Sequence, residues 1–156
     1  MCWMCDDPTM TKADALGRMA GMVEEYGWAV QAVQGDRVHP PWAYTVGLTP
    51  LGLPELVITG VRATEARDVL NEWAADMVGG ERLSPGQRLR CPHGNAVEIV
   101  ALPHPEAHLL TAVSLFPGTT LRALQLVWTD DRGHWPWDVG FRSRRGGQPV
   151  LGPRSG

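Results

Sequence analysis

Apolar residues recur at helical spacing in two long stretches. Leu16, Met19, Ala20, Val23 and Tyr26 mark the first. Thr11-Lys12-Ala13-Asp14 introduces it, with Thr11 placed to cap the helix and Asp14 at its third position, and Gly27 stops it. Met19 and Met22 read as core filler there rather than as ligands. The second stretch runs from Thr64 to Met77, with Ala66, Val69, Leu70, Trp73 and Met77 along one face and Gly79-Gly80 at its end. A shorter helix is predicted from Pro105 to Leu115, closed by Pro117-Gly118, with His104 in its cap region.

Between these lie segments with the β pattern. Trp28 to Val33 precedes a turn at Gly35-Asp36, and Trp42 to Leu48 is a second strand, on which Trp42, Tyr44 and Val46 share a face. Glu55 to Thr59 is a third, and its unbroken Leu56-Val57-Ile58 run predicts burial on both faces. Val97 to Leu102 and Arg122 to Trp128 complete the set, the last with Leu124, Leu126 and Trp128 on one side. Residues 81–95 read as a loop. The alternation and the short connections predict a single α+β domain, an about five-stranded, mainly antiparallel sheet with about three helices on one face. Residues 1–10 form a Cys-bearing arm, 11–141 the core, and 142–156 a basic Gly/Pro-rich tail or draped segment. Trp42, Trp128 and Trp137 are expected to be buried and structural, with Trp135 beside them in the core.

The 156 residues suit one domain, with 44% apolar and 20% charged residues. No apolar run reaches the roughly 20 residues of a membrane span, and Met1 to Asp7 lacks the pattern of a secretory leader, so a cytoplasmic location and no membrane partner are expected. A net charge of -3 gives no general attraction for nucleic acid. Arg142, Arg144 and Arg145 make a small basic cluster, but no sequence-specific DNA binding is indicated.

The cysteines carry the sharpest chemistry. Cys2 and Cys5 form a C-x-x-C pair with no strand before it, which argues against a thioredoxin-like centre. Two thiolates at that spacing reach one tetrahedral Zn²⁺, and Cys91-Pro92-His93-Gly94 offers a second half-site on a tight turn. One zinc ion on Cys2, Cys5, Cys91 and His93 is the predicted metal site, with three unrelated cysteines as the plain alternative. His104 and His108 would share a helix face and could replace one ligand, although the H-E-x-x-H order is absent. For an enzyme, Tyr44 and Glu55 could face one cleft for proton transfer, and His39, Asp130, Asp131, His134 and Asp138 supply further titratable groups. Gly-rich phosphate loops and a G-x-S-x-G elbow are absent, and no catalytic set is assigned.

Three motif groups carry a resemblance. They are Gly27-Trp28-Ala29-Val30 leading to Pro41-Trp42-Ala43-Tyr44-Thr45-Val46-Gly47-Leu48, then Leu53 to Gly60, then Leu124 to Trp128 with Trp135-Pro136-Trp137-Asp138 and Gln148-Pro149-Val150-Leu151-Gly152. Over residues 27 to 152 the chain resembles the bacterial family called domain of unknown function 4262. The Cys2-x-x-Cys5-Asp6-x-Pro8 element looks like a feature of actinobacterial members, some of which resemble a zinc-responsive factor linked to ribosome hibernation in mycobacteria. That closer resemblance implies a zinc-binding regulatory adaptor that brings a hibernation factor to the small ribosomal subunit. The alternative is an enzyme or small-molecule-binding domain with a pocket near Tyr44 and Glu55.

Overall fold

The first helix, α1 (Lys12–Tyr26), begins as its sequence dictates. Thr11 Oγ1 accepts from Asp14 N and Asp14 Oδ2 accepts from Thr11 N, both at 3.1 Å, a reciprocal cap worth about 0.5–2 kcal/mol. Gly27 ends it at φ 93°, in a conformation that glycine adopts without strain. The chain continues through β1 (Ala29–Val33), β2 (Trp42–Val46), β3 (Glu55–Thr59), α2 (Ala63–Val78), β4 (Arg88–Arg90), β5 (Ala96–Ala101), α3 (Leu110–Leu115) and β6 (Ala123–Trp128). This is a computed structural model, and it describes residues 11–91, 95–142 and 147–154.

The strands form one sheet in the order β1-β2-β3-β6-β5-β4. Every neighbouring pair is antiparallel except β3 with β6, which run parallel with Glu55 opposite Ala123. Among the described residues the domain is α+β with three α-helices, as the pattern predicts, and the sheet has six strands rather than five. The extra strand is β4, Arg88-Leu89-Arg90, inside the stretch read as a loop. Its backbone pairs with β5 over three residues although its sequence has no apolar run. The third helix also differs. Pro105–Ala107 is a single 3-10 turn, and the α-helix begins only at Leu110. His104 makes no cap with its side chain, and His108 instead sets its ring edge-on to Trp42.

The helices lie on both faces of the sheet, not on one. On the first face, Leu56, Ile58, Leu124, Leu126, Val97 and Ile99 pack against Ala66, Leu70, Ala74 and Met77 of α2. On the second, Tyr44, Val46, Val57 and Ala123 meet Met19 of α1 and Leu109 and Ala112 near α3. Strand β3 feeds both cores, which explains its uninterrupted apolar run: all five residues are buried. The two long helices and five of the strands follow from their local patterns, whereas the distribution of helices over both faces does not.

Residues 147–154 complete the second face. Gln125 Nε2 donates to Pro149 O at 2.7 Å and Gln125 Oε1 accepts from Leu151 N at 2.8 Å. Thr59 Oγ1 also donates to Pro149 O. The Gln148 amide accepts from Trp128 N and donates to Trp128 O, both at 2.9 Å, so one side chain satisfies a strand residue as a neighbouring peptide would. Gly60, at φ 76°, touches this segment so closely that a Cβ would lie 2.6 Å from Gly147 O.

Beside this segment, Trp135 and Trp137 stack on each other at 5.4 Å and 5°. Arg88 lies over Trp135 at 4.6 Å and Arg154 over Trp137 at 3.8 Å. Glu98, buried beneath, accepts from both guanidinium groups at 2.8 and 3.0 Å. Burial opposes its charge, but the hydrogen bonds from Arg154 and Arg88 prevail and hold its carboxyl below the ordinary range. These two tryptophans therefore belong to a surface clasp rather than to the core. Trp42 and Trp128 sit at the margins of the two cores and are half-buried.

Candidate ligand-binding cavity

One helix is about 10 Å across, and strands lie about 4.8 Å apart, so a single helix covers two to three strands. On the first face α2 lies over β1, β2 and β3. The sheet continues past it into β6 and β5. The uncovered ground beside the helix is a cavity of about 600 Å³. Ile58, Val97 and Trp128 form its floor, and Val61 and the α2 flank form one wall. That flank is Glu65, Asp68, Val69, Glu72 and Trp73, the i, i+3, i+4, i+7, i+8 stripe of a helix. Cys91, Asn95, Asp130, Asp131 and Arg142 close the opposite side.

Each polar group is held for an identifiable reason. Trp128 Nε1 donates to Thr59 O at 3.0 Å, which fixes the indole in the floor. Asn95 Nδ2 donates to Thr129 O at 3.1 Å. Cys91 N donates to Asn95 O at 2.7 Å, which ties together the two ends of the β4–β5 connection. Burial raises the Cys91 thiol above its ordinary pKa, and the nearby Glu72 charge raises it further. Cys91 is therefore a protonated thiol at neutral pH.

Asp130 organises the loop after β6. Oδ1 accepts from Arg132 N and His134 N, and Oδ2 from Arg142 N, each at 2.9 Å. His134 Nδ1 stands 3.4 Å from the same carboxylate. Burial opposes ionisation, but the backbone bonds from Arg142, His134 and Arg132 outweigh it and hold the pKa at about 2. A depressed carboxylate stabilises the fold above its unfolded pKa of 3.8, and that contribution disappears as the pH falls through about 2. Acid unfolding from pH 5 to pH 2 should thus be less steep in Asp130→Asn than in the parent chain, as read by the urea midpoint at each pH. Equal slopes would show that the loop does not depend on this charge.

The residues singled out from sequence are distributed unevenly about this cavity. Cys91, Asp130, Asp131 and Arg142 line it. Cys2, Cys5 and His93, the other three proposed zinc ligands, lie outside the described residues, as do Arg144 and Arg145. Among the described residues no group of three or more His, Cys, Asp and Glu side chains stands ready to hold a metal ion. His39 is in an exposed turn against Asp36. Asp138 Oδ2 accepts from Trp135 N at 2.9 Å, outside the cavity.

Tyr44 and Glu55 do not line the cavity. Both are buried. Tyr44 Oη accepts from Thr111 N at 3.1 Å, and burial first of all raises its pKa. The Glu55 carboxylate accepts five bonds, from Thr45 Oγ1, Gly47 N, Leu48 N, Thr49 N and Thr49 Oγ1, at 2.5 to 3.3 Å. It ties the turn between β2 and β3 from within. Conversely, Glu65, Asp68 and Glu72 were not singled out in the sequence. Their i, i+3, i+7 spacing was the available signal, and it reads equally as a solvated helix face.

The sequence model of one family, described as domain of unknown function (DUF4262), matches residues 22–142. The chain belongs to this family. The match spans every strand and α2, so all the described cavity-lining residues of this DUF4262 domain fall within it. It begins beyond Cys2 and Cys5, so it carries no information on the Cys-bearing arm. No curated protein and no solved structure matches the chain. No helix among the described residues is long and apolar enough to cross a membrane.

Proposed function

We propose that this DUF4262 domain is a small-molecule-binding regulatory module whose ligand occupies the cavity between α2 and the β6–β5 half of the sheet. The observation that carries this reading is the cavity itself. At about 600 Å³ it is within the range of small-molecule sites, and it combines an apolar, indole-bearing floor with a few polar groups at its rim. The reading moves the binding site away from Tyr44 and Glu55, whose polar atoms are already engaged. It assigns binding rather than turnover, and the cytoplasm is the proposed compartment. A titration with indole, followed by amide and indole resonances, should produce shifts confined to Val61, Val69, Trp73, Val97 and Trp128. Shifts scattered over the surface would defeat the proposal.

A second reading retains the metal. In it one Zn²⁺ is held by Cys2, Cys5, Cys91 and His93, and its occupancy governs capture of a hibernation factor or the small ribosomal subunit. Cys91 favours this reading, because its half-buried thiol stands at the cavity rim at one end of the β4–β5 connection. Zinc would then tie the arm to the mouth of the ligand site, and binding would release the thiol protons. Metal analysis of the purified chain and of Cys91→Ser is the test: equal zinc content in both would remove this site as drawn.

A further inference from the structure

The charge around the cavity is one-sided. Glu65, Asp68 and Glu72 project from α2, Glu65 paired with Arg62 outside the lining, and Asp130 and Asp131 close the far side, against Arg142 alone among the described lining residues. Among the described residues, Asp68, Glu72 and Asp131 have no basic ion-pair partner. Asp130 stays ionised at neutral pH because backbone N–H groups hold it so. Meanwhile Trp73 in the wall and Trp128 in the floor present indole surface to the same space.

These two facts select a ligand class. An anionic ligand would meet a lining of five acidic side chains against one guanidinium. A neutral apolar ligand would use the floor and leave the carboxylates without a partner. A bare metal ion would use carboxylates and leave the indoles and valines facing solvent, and the described carboxylates do not converge on one point. An organic cation on a flat or apolar body satisfies both walls, since ammonium groups are attracted to carboxylates and to indole faces alike.

We propose that the cavity binds an organic cation, a primary amine or guanidinium compound with an apolar or aromatic body, through Asp68, Glu72, Trp73 and Trp128. This rests on the cavity being a ligand site and adds the sign of the ligand's charge. Because the site is partly open, binding should weaken as salt rises.

The experiment uses three probes with one body: tryptamine, indole and indole-3-propionate, each titrated into the full chain at low salt and followed by the Trp73 and Trp128 indole resonances. Tryptamine should bind about tenfold more tightly than indole, and indole-3-propionate more weakly than both. In the Asp68→Asn/Glu72→Gln double variant, at helix positions outside the buried core, tryptamine should fall to the affinity of indole while indole is unchanged. Equal affinity for indole and tryptamine, or tighter binding of the acid, overturns the charge assignment and leaves the cavity as a neutral-ligand site. Absence of binding by all three overturns both the assignment and the cavity reading.

Discussion

Replacing Glu55 by Ala should lower the stability of the domain by about 3–5 kcal/mol, the largest effect expected of any single polar substitution. The carboxylate is inaccessible to solvent, and its five donors include three backbone N–H groups, of Gly47, Leu48 and Thr49. Without an acceptor each becomes a buried, unsatisfied donor, at a cost of about 1–3 kcal/mol apiece before relaxation. Thr45 Oγ1 would remain on Leu56 N but lose the group it donates to. Glu55→Gln keeps one acceptor oxygen and should cost distinctly less. Urea unfolding of the two variants gives the comparison. A Glu55→Ala midpoint equal to that of the parent chain would mean that water replaces the carboxylate, and that the turn is not built on it.

The second large effect is expected at Gln125. This side chain is wholly buried in the centre of β6 and holds residues 147–154 on the sheet. Gln125→Ala should cost about 2–4 kcal/mol, through the cavity it leaves and the stranded Leu151 N–H. It should also detach the segment before the domain unfolds. Limited proteolysis would then cut after Arg142 or Arg154 in the variant under conditions in which the parent chain resists. A variant as resistant as the parent would show that Gln148 and the Arg154 clasp suffice. Gln125→Glu keeps the volume and the acceptor of Leu151 N but sets a buried carboxylate oxygen against Pro149 O, so it too should loosen the segment.

These two residues illustrate what is legible in a sequence. Glu55 was conspicuous after Pro54, and its neighbours Leu56-Val57-Ile58 declared a doubly buried strand. That a carboxylate at the start of such a strand must be consumed by a turn was not visible, because its partners arrive from residues 45–49 through the folded hairpin. The Gln148-Pro149-Val150-Leu151-Gly152 motif was recognisable as a motif, but its partners on β3 and β6 lie 20 to 90 positions away. The capping box of α1, the glycine that ends it and the strand at 55–59 were read correctly because each is a local matter. The number of faces that carry helices, and so the existence of the cavity, depends on how wide the sheet is relative to one helix. No window of sequence holds that quantity. Trp73 and Val69 were placed on the apolar side of α2, and the structure sets them at its edge, where the buried stripe of Ala66, Leu70, Ala74 and Met77 gives way to the cavity.

The two ends of the sheet have different consequences for the behaviour of the protein at high concentration. At one end, β4 is three residues long, begins and ends with arginine, and has Arg88 drawn over Trp135. So short and charged a border offers little for another chain to pair with. At the other end, β1 reads Ala-Val-Gln-Ala-Val, five residues without a charge, paired among the described residues on one side only, by β2. Association by strand addition is therefore directed to β1, and the aggregation tendency of the domain should respond to a lysine placed there and not to changes along β4.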